Sequence, residues 1–265
     1  MQGSILLNAN GKSGMKTKAI IFDVDGTLAD TEEAHRLSFN KTFAENDLDW
    51  NWDVALYDKL LKVTGGKERI NHFVTSYVPD FQKPADFESF VKHLHLVKTA
   101  HYTAMLREGG IPLRPNIKRL ITEAKQAGLK LAIATTTSLD NVVTLLQQGL
   151  GVGSEALFDV IGYGDIVLHK KPAPDIYYWV LERLGLDAAE CIALEDSENG
   201  LRSSLAAGLK TFITINHYTS KQDFSGASAV LEDLSNLESF YQVAGLDFSK
   251  QTAPLDSVQN HVRSA

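Results

Sequence analysis

Apolar positions along the chain change their rhythm twice. The first run, "KAIIFD" (Lys18 to Asp23), is short, continuous and followed at once by an Asp-Gly turn. That pattern predicts a strand buried on both faces. From Thr31 the spacing becomes helical, with Ala34, Leu37, Phe39 and Phe43 following an Asp30 or Thr31 cap. Further helices are predicted over residues 53–63, 66–78 and 84–107, and nothing between Thr31 and Glu108 alternates as a strand. From Ile111 onward short apolar runs and helical stretches take turns. The helix "NIKRLITEAKQAG", stopped by Gly128, leads to the strand "KLAIAT". A helix over 140–148, the strand "VIGY", a helix over 175–184, the strand "CIALE", the helix "NGLRSSLAAG", the strand "KTFITI" and a last short strand at "SAVLED" follow.

Strands alternating with helices predict a parallel sheet with right-handed crossovers. The first strand must join that sheet across some eighty intervening residues, so the helical block is an insertion over one sheet end. The expected organisation is a flexible N-terminal extension (1–17), a core made of 18–30 and 109–245, an all-helical insertion (31–108) and a flexible C-terminal tail (246–265). In such sheets ligands bind beyond the carboxyl ends of the strands. The polar residues at those ends are Asp23, Asp25, Thr135, Glu195 and Asp196, with the lysines of "KKPAPD" in a loop of the same half.

Composition narrows the partners. A chain of 265 residues with 44% hydrophobic and 22% charged residues is long enough for a sizeable core. The net charge of −7 offers no basic surface for nucleic acid or an anionic membrane. No apolar run approaches the roughly 18 residues that span a bilayer. The single cysteine, Cys191, excludes an intramolecular disulfide and is expected to pack as a small apolar residue.

Two aspartates two residues apart at a buried strand end are costly unless something pairs with them. They are either solvated turn residues or part of a site that holds a cation. Several carboxylates at one sheet edge, with no histidine or cysteine among them, make a hard oxygen site suited to Mg2+. A lysine and a threonine hydroxyl alongside would hold phosphoryl oxygens, and an aspartate can serve as a nucleophile. This set describes phosphoryl transfer.

"FDVDGTLAD", the strand end at Thr135, "KKPAPD" and "ALEDSENGLRSSLAAG" resemble, in order, the four motifs of the haloacid dehalogenase-like hydrolase superfamily. The resemblance implies an α/β fold, a Rossmann-like doubly wound parallel-sheet core with an inserted helical cap. It also implies that Asp23 is the nucleophile and Asp25 the general acid/base. Thr135 and Lys171, which directly precedes Pro172, would hold the transferring phosphate. Asp23, Asp25 (through its carbonyl), Glu195 and Asp196 would hold Mg2+. An aspartate at position 25 fits the superfamily's phosphatases and phosphomutases and not its dehalogenases.

Two features of the insertion bear on substrate. Glu32 and His35 share one face near the start of its first helix. "TGGKERI" places Gly65 and Gly66 before a helix whose first turn carries Lys67 and Arg69, an arrangement that suits an anion. Together they resemble the CbbY subgroup of sugar-phosphate phosphatases, which implies action on xylulose-1,5-bisphosphate. By that resemblance Glu32, His35, Thr64, Gly65, Gly66, Lys67 and Arg69 are substrate residues, with Thr136, Thr137, Ser138 and Arg114 as further candidates. A β-phosphoglucomutase-like phosphomutase, a broader sugar monophosphate phosphatase and a non-catalytic phospho-ligand sensor are the alternatives. The expected protein is a monomer with a small phosphorylated sugar as partner, cytoplasmic or, in a photosynthetic eukaryote, in the plastid stroma. His93, His95 and His101 are expected to be structural or solvated, and "GLGVG" follows a helix and so fails as a dinucleotide loop.

Overall fold

In the computed structural model, which describes residues 17–248, the first strand lies at the centre of the sheet. Six parallel strands run in the order β3-β2-β1-β4-β5-β6: β1 (Ala19–Phe22), β2 (Lys130–Ala134), β3 (Val160–Gly162), β4 (Cys191–Glu195), β5 (Lys210–Thr214) and β6 (Ala229–Leu231). Ile20 pairs with Leu131 on one side and Ile192 on the other. Alternation along each strand sorts side chains onto two faces. Ile20, Phe22, Leu131, Ile133, Ile192 and Leu194 face one layer of helices. The opposite face is lined by smaller residues, among them Ala19, Ala132, Ala134, Cys191 and Ala193, which let α7 (Asp175–Leu184) approach closely.

The larger face is covered by α5 (Ile117–Gln126), α6 (Leu139–Leu150) and a helix that sequence reading missed, α9 (Leu237–Ala244). Its signals are present: Asn236 accepts from Ser239 N–H as a cap, Leu237, Phe240 and Tyr241 are buried at helical spacing, and Gly245 stops it in the left-handed region. Phe248 is also buried, edge-on to Tyr241 at 4.7 Å, so packing continues into the segment expected to be a tail. The expected N-terminal extension up to residue 16 and the tail beyond residue 248 lie outside the described residues.

Between β1 and α5 come α1 (Glu32–Glu45), α2 (Val54–Leu60), α3 (Gly66–Ser76) and α4 (Phe87–Arg107). They close around their own apolar cluster of Phe39, Phe43, Trp50, Trp52, Tyr57, Leu60, Ile70, Phe73 and Leu94. The C-terminal half of α4 departs from it, sending Tyr102 and Leu106 into the sheet-side core. The remaining helix, α8 (Glu198–Ala206), follows β4. Among the described residues no helix is long and apolar enough to cross a membrane.

Candidate active site

A cavity of about 990 Å³ opens between the carboxyl ends of the strands and the helical insertion. Its floor is built from strand ends. Asp23 follows β1, with its N–H donating to Leu194 O at 3.0 Å, and Glu195 and Asp196 end β4. Lys171, fully enclosed, donates to Asp23 Oδ1 (2.7 Å), Glu195 Oε1 (2.6 Å) and Ala134 O (2.7 Å). Three acceptors use all three ammonium protons. Tyr177 from α7 also donates to Glu195 Oε1, whereas Glu195 Oε2 is buried without a hydrogen-bond partner.

Oxygens of Asp23, Glu195 and Asp196 lie within 4.8 Å of one another, all buried. Burial, then the charges of Glu195 and Asp25, push the Asp23 carboxyl up to about 8 in spite of Lys171. Burial and the neighbouring carboxylates also push Asp196 well up. Lys171 stays firmly protonated: burial opposes its charge, but Asp23 and Glu195 outweigh it. Three converging carboxyl groups against one lysine cannot all ionise without a further cation, and one oxygen has no partner. The residues present therefore fit a hard divalent cation.

Asp25 is held quite differently. The turn behind it is tight, with Gly26 at φ +84° and its N–H on Ala29 O at 2.8 Å. Asp25 Oδ1 accepts from Thr31 Oγ1 (2.7 Å) and lies 2.9 Å from His35 Nε2. His35 Nδ1 in turn meets Lys98 Nζ at 2.5 Å. Lysine only donates, so Nδ1 accepts and the ring proton sits on Nε2, facing Asp25. Burial works against the Asp25 charge, yet His35, Thr31 and Lys98 hold its carboxyl well below the usual range. Burial lowers Lys98 to about 7, and His35 is lowered by burial and by Lys98. Thr31 stands at the start of α1 without capping it, because its hydroxyl serves Asp25. Lys98 went unnoticed in the sequence, although its spacing from Leu94 and Tyr102 marks a lysine on a buried helix stripe.

The sequence-predicted residues divide into those that reach the cavity and those that do not. Thr135, Thr136, Thr137, Glu32, His35, Thr64, Gly65, Gly66 and Arg69 all line it. Arg69 donates to Tyr57 Oη (3.0 Å), and Tyr57 donates to Glu32 Oε2 (2.9 Å). Lys67 and Ser138 face an adjoining pocket of about 120 Å³ together with Thr136 and Lys170. There Lys67 pairs with Asp165, and Lys170 bridges Glu68 and Asp165 at 2.8 and 3.0 Å, tying α3 to the core. Ser138 also accepts from Asn141 N–H as the cap of α6.

Arg114 is a correction. It is buried and does not line the cavity; its guanidinium donates to Gly26 O (2.5 Å), Thr214 O (2.9 Å), Ile215 O (2.5 Å) and Glu232 O (2.9 Å), with Nε 3.5 Å from Asp30. All four terminal N–H groups face backbone carbonyls and Nε faces the Asp30 carboxylate, so the guanidinium is committed to the protein. The three histidines expected to be structural or solvated are placed differently. His93 and His101 bond to Asn46 and Glu45, but His95 lines both pockets and packs against Gly66, where a Cβ would fall 2.6 Å from the ring. Burial and the three lysines Lys98, Lys67 and Lys170 lower it to about 3, so it is neutral.

A family model described as "Hydrolase: haloacid dehalogenase-like hydrolase" matches residues 17–208. The CbbY protein encoded on a plasmid of Cupriavidus necator is 49% identical over 219 residues, covering 83% of this chain and 86% of that protein. A crystal structure of CbbY from Rhodobacter sphaeroides, an Asp-to-Asn mutant in complex with xylulose-(1,5)bisphosphate, is 46% identical with a TM-score of 0.78, covering 83% of this chain and 96% of that one. A β-phosphoglucomutase from Clostridium difficile, 20% identical with a TM-score of 0.71 over 86% of this chain and 97% of that one, shares the fold. The chain belongs to the haloacid dehalogenase-like hydrolases, and within them to the CbbY-type phosphatases.

Proposed function

We propose that the protein is a Mg2+-dependent sugar-bisphosphate phosphatase that works through a phosphoaspartate on Asp23, with residues 31–108 as its cap. Xylulose-1,5-bisphosphate is the proposed substrate and xylulose 5-phosphate the product. The observation that carries the chemistry is the separate holding of the two aspartates. Asp23 is paired with a core lysine, whereas Asp25 is held by Thr31, His35 and Lys98 of the insertion and its entry. Substrate choice is supported by the 46% identical CbbY structure that contains this bisphosphate.

An Asp23 oxygen attacks phosphorus, and Lys171, released from its bond to that carboxylate as the oxygen is phosphorylated, holds a phosphoryl oxygen together with Thr135. Asp25 protonates the departing sugar oxygen; a phosphate dianion beside it raises its proton affinity, since like charge disfavours the carboxylate. Once ionised again, Asp25 takes a proton from the water that hydrolyses the phosphoaspartate. Asp23, the Asp25 carbonyl, Glu195 and Asp196 would hold Mg2+, which supplies charge neutralisation for the transferring group. The Gly65-Gly66 turn at the start of α3, with Arg69 and Lys67, takes the second phosphate.

Two expected results test this reading. In a screen of sugar mono- and bisphosphates, xylulose-1,5-bisphosphate gives the highest kcat/KM, and Lys67→Ala raises KM for the bisphosphate by at least about tenfold more than for xylulose 1-phosphate, which lacks the second phosphate, in line with loss of a charged contact. Equal effects on both, or conversion of β-glucose 1-phosphate to glucose 6-phosphate, would overturn the assignment. The second result concerns pH. Asp23 is raised to about 8, so below that pH a proton must leave before a cation binds. Asp196 is raised as well, so apparent Mg2+ affinity measured by calorimetry should rise by at least about tenfold per pH unit up to about 8. A flat profile below that pH contradicts the proposed ligand set.

A further inference from the structure

Beyond β5 the chain turns through Asn216, His217 and Tyr218. Both ends of the Asn216 amide are engaged. Its Nδ2 donates to Asp196 Oδ2 at 2.7 Å, and its Oδ1 accepts from the N–H groups of Tyr218 (2.9 Å) and Thr219 (3.2 Å). A flipped amide would set its oxygen against the carboxylate, so the orientation is fixed. Two residues on, Tyr218 leaves the core and joins the apolar cluster of the insertion. Its ring stands edge-on to Tyr57 at 5.9 Å, and its hydroxyl donates to Glu33 Oε2 at 3.0 Å. Arg114 secures the start of the same segment by holding Thr214 O and Ile215 O along with Gly26 O. The fit at the inner end is close: a Cβ on Gly26 would lie 2.1 Å from Asp196 Oδ2 and 2.6 Å from Asn216 Nδ2.

We infer that Asn216 is a positioning residue for Asp196 and that Asn216 and Tyr218 form one strut, through which seating of the insertion and cation holding by Asp196 are coupled. The inference rests on the acidic cluster holding a cation, as proposed above. A carboxylate that coordinates a cation needs its second oxygen fixed by an outer partner, and losing such a partner weakens binding by about 10- to 100-fold. If the Tyr218 ring leaves the insertion, the two N–H groups that hold Asn216 Oδ1 move with it. Asp196 then loses its orienting donor. The coupling is reciprocal, so a cation on Asp196 favours the seated insertion to the same extent.

The test is calorimetric titration of Mg2+ into the full chain, with no substrate and no turnover. Asn216→Ser keeps a hydroxyl able to accept from the following N–H groups but cannot reach Asp196; it should weaken Mg2+ by about tenfold at an unchanged melting temperature. Tyr218→Ala, which removes nothing that touches a carboxylate of the cluster, should weaken Mg2+ by at least about threefold, and Tyr218→Phe, which keeps the ring, by less than about twofold; a coupling of this kind reaches about 5-fold or more in comparable systems. The Asn216→Ser/Tyr218→Ala double variant should bind no more weakly than Asn216→Ser alone, because Tyr218 acts through Asn216. Unchanged affinity in Asn216→Ser, or additive losses in the double variant, overturns the strut. Asn216→Ser lies away from the apolar cluster and keeps the test decisive if Tyr218→Ala does not fold. Absence of Mg2+ binding in the unmutated protein would instead overturn the cation reading, and the strut with it.

Discussion

Asp23→Asn is expected to reduce phosphatase turnover by at least about 10³-fold, since the variant lacks the group that forms the covalent bond. The fold should survive. Asparagine is the same size, and the change removes a carboxyl that burial and the neighbouring carboxylates disfavour in its charged form. Substrate affinity should persist, because Thr135, Lys171, the Gly65-Gly66 turn and Arg69 are untouched. The measurement is kcat and KM on xylulose-1,5-bisphosphate beside a melting curve. Turnover within a few-fold of the unmutated protein would remove Asp23 from the mechanism.

The second large effect is structural as well as catalytic. Lys171→Met should destabilise the protein by about 3–5 kcal/mol, because it strands Asp23 and Glu195 without their buried cation. For a chain of this size that is a fall in melting temperature of roughly 6–20 °C. The sign of its pH dependence follows from Asp23, whose folded value lies above its unfolded one. Protonated, the carboxyl tolerates burial; ionised, it opposes folding and depends on Lys171, so the loss should be steady below about pH 8 and grow as pH rises beyond it. Mg2+ should recover part of the stability by binding only the folded form. A melting temperature unchanged at pH 8 contradicts the network.

Much of this arrangement was legible in the chain. The buried strands announce themselves as short apolar runs, and the carboxylates stand where those runs end. The core lysine was also separable from its neighbour: Lys171 reaches the floor, whereas Lys170 ties the insertion to the core. What escaped sequence reading depends on contacts far along the chain. "LRP" suggested a substrate arginine, but the acceptors of Arg114 are carbonyls of loops about a hundred residues away. Thr31 looked like a helix cap until its hydroxyl was found on Asp25. Lys98 lies on a helix whose exposed face is rich in polar residues, and only the packing of α1 against α4 shows that this lysine stands behind His35. Asn216 carries no local signal, because its role exists only once Asp196 is beside it.

The most direct test of the covalent mechanism is rapid-quench mass spectrometry during turnover of xylulose-1,5-bisphosphate with Mg2+. The mechanism predicts one transient phosphoryl group on the peptide that contains Asp23, absent in Asp23→Asn. Full turnover with that peptide unmodified at every time point, in the unmutated protein, would contradict it.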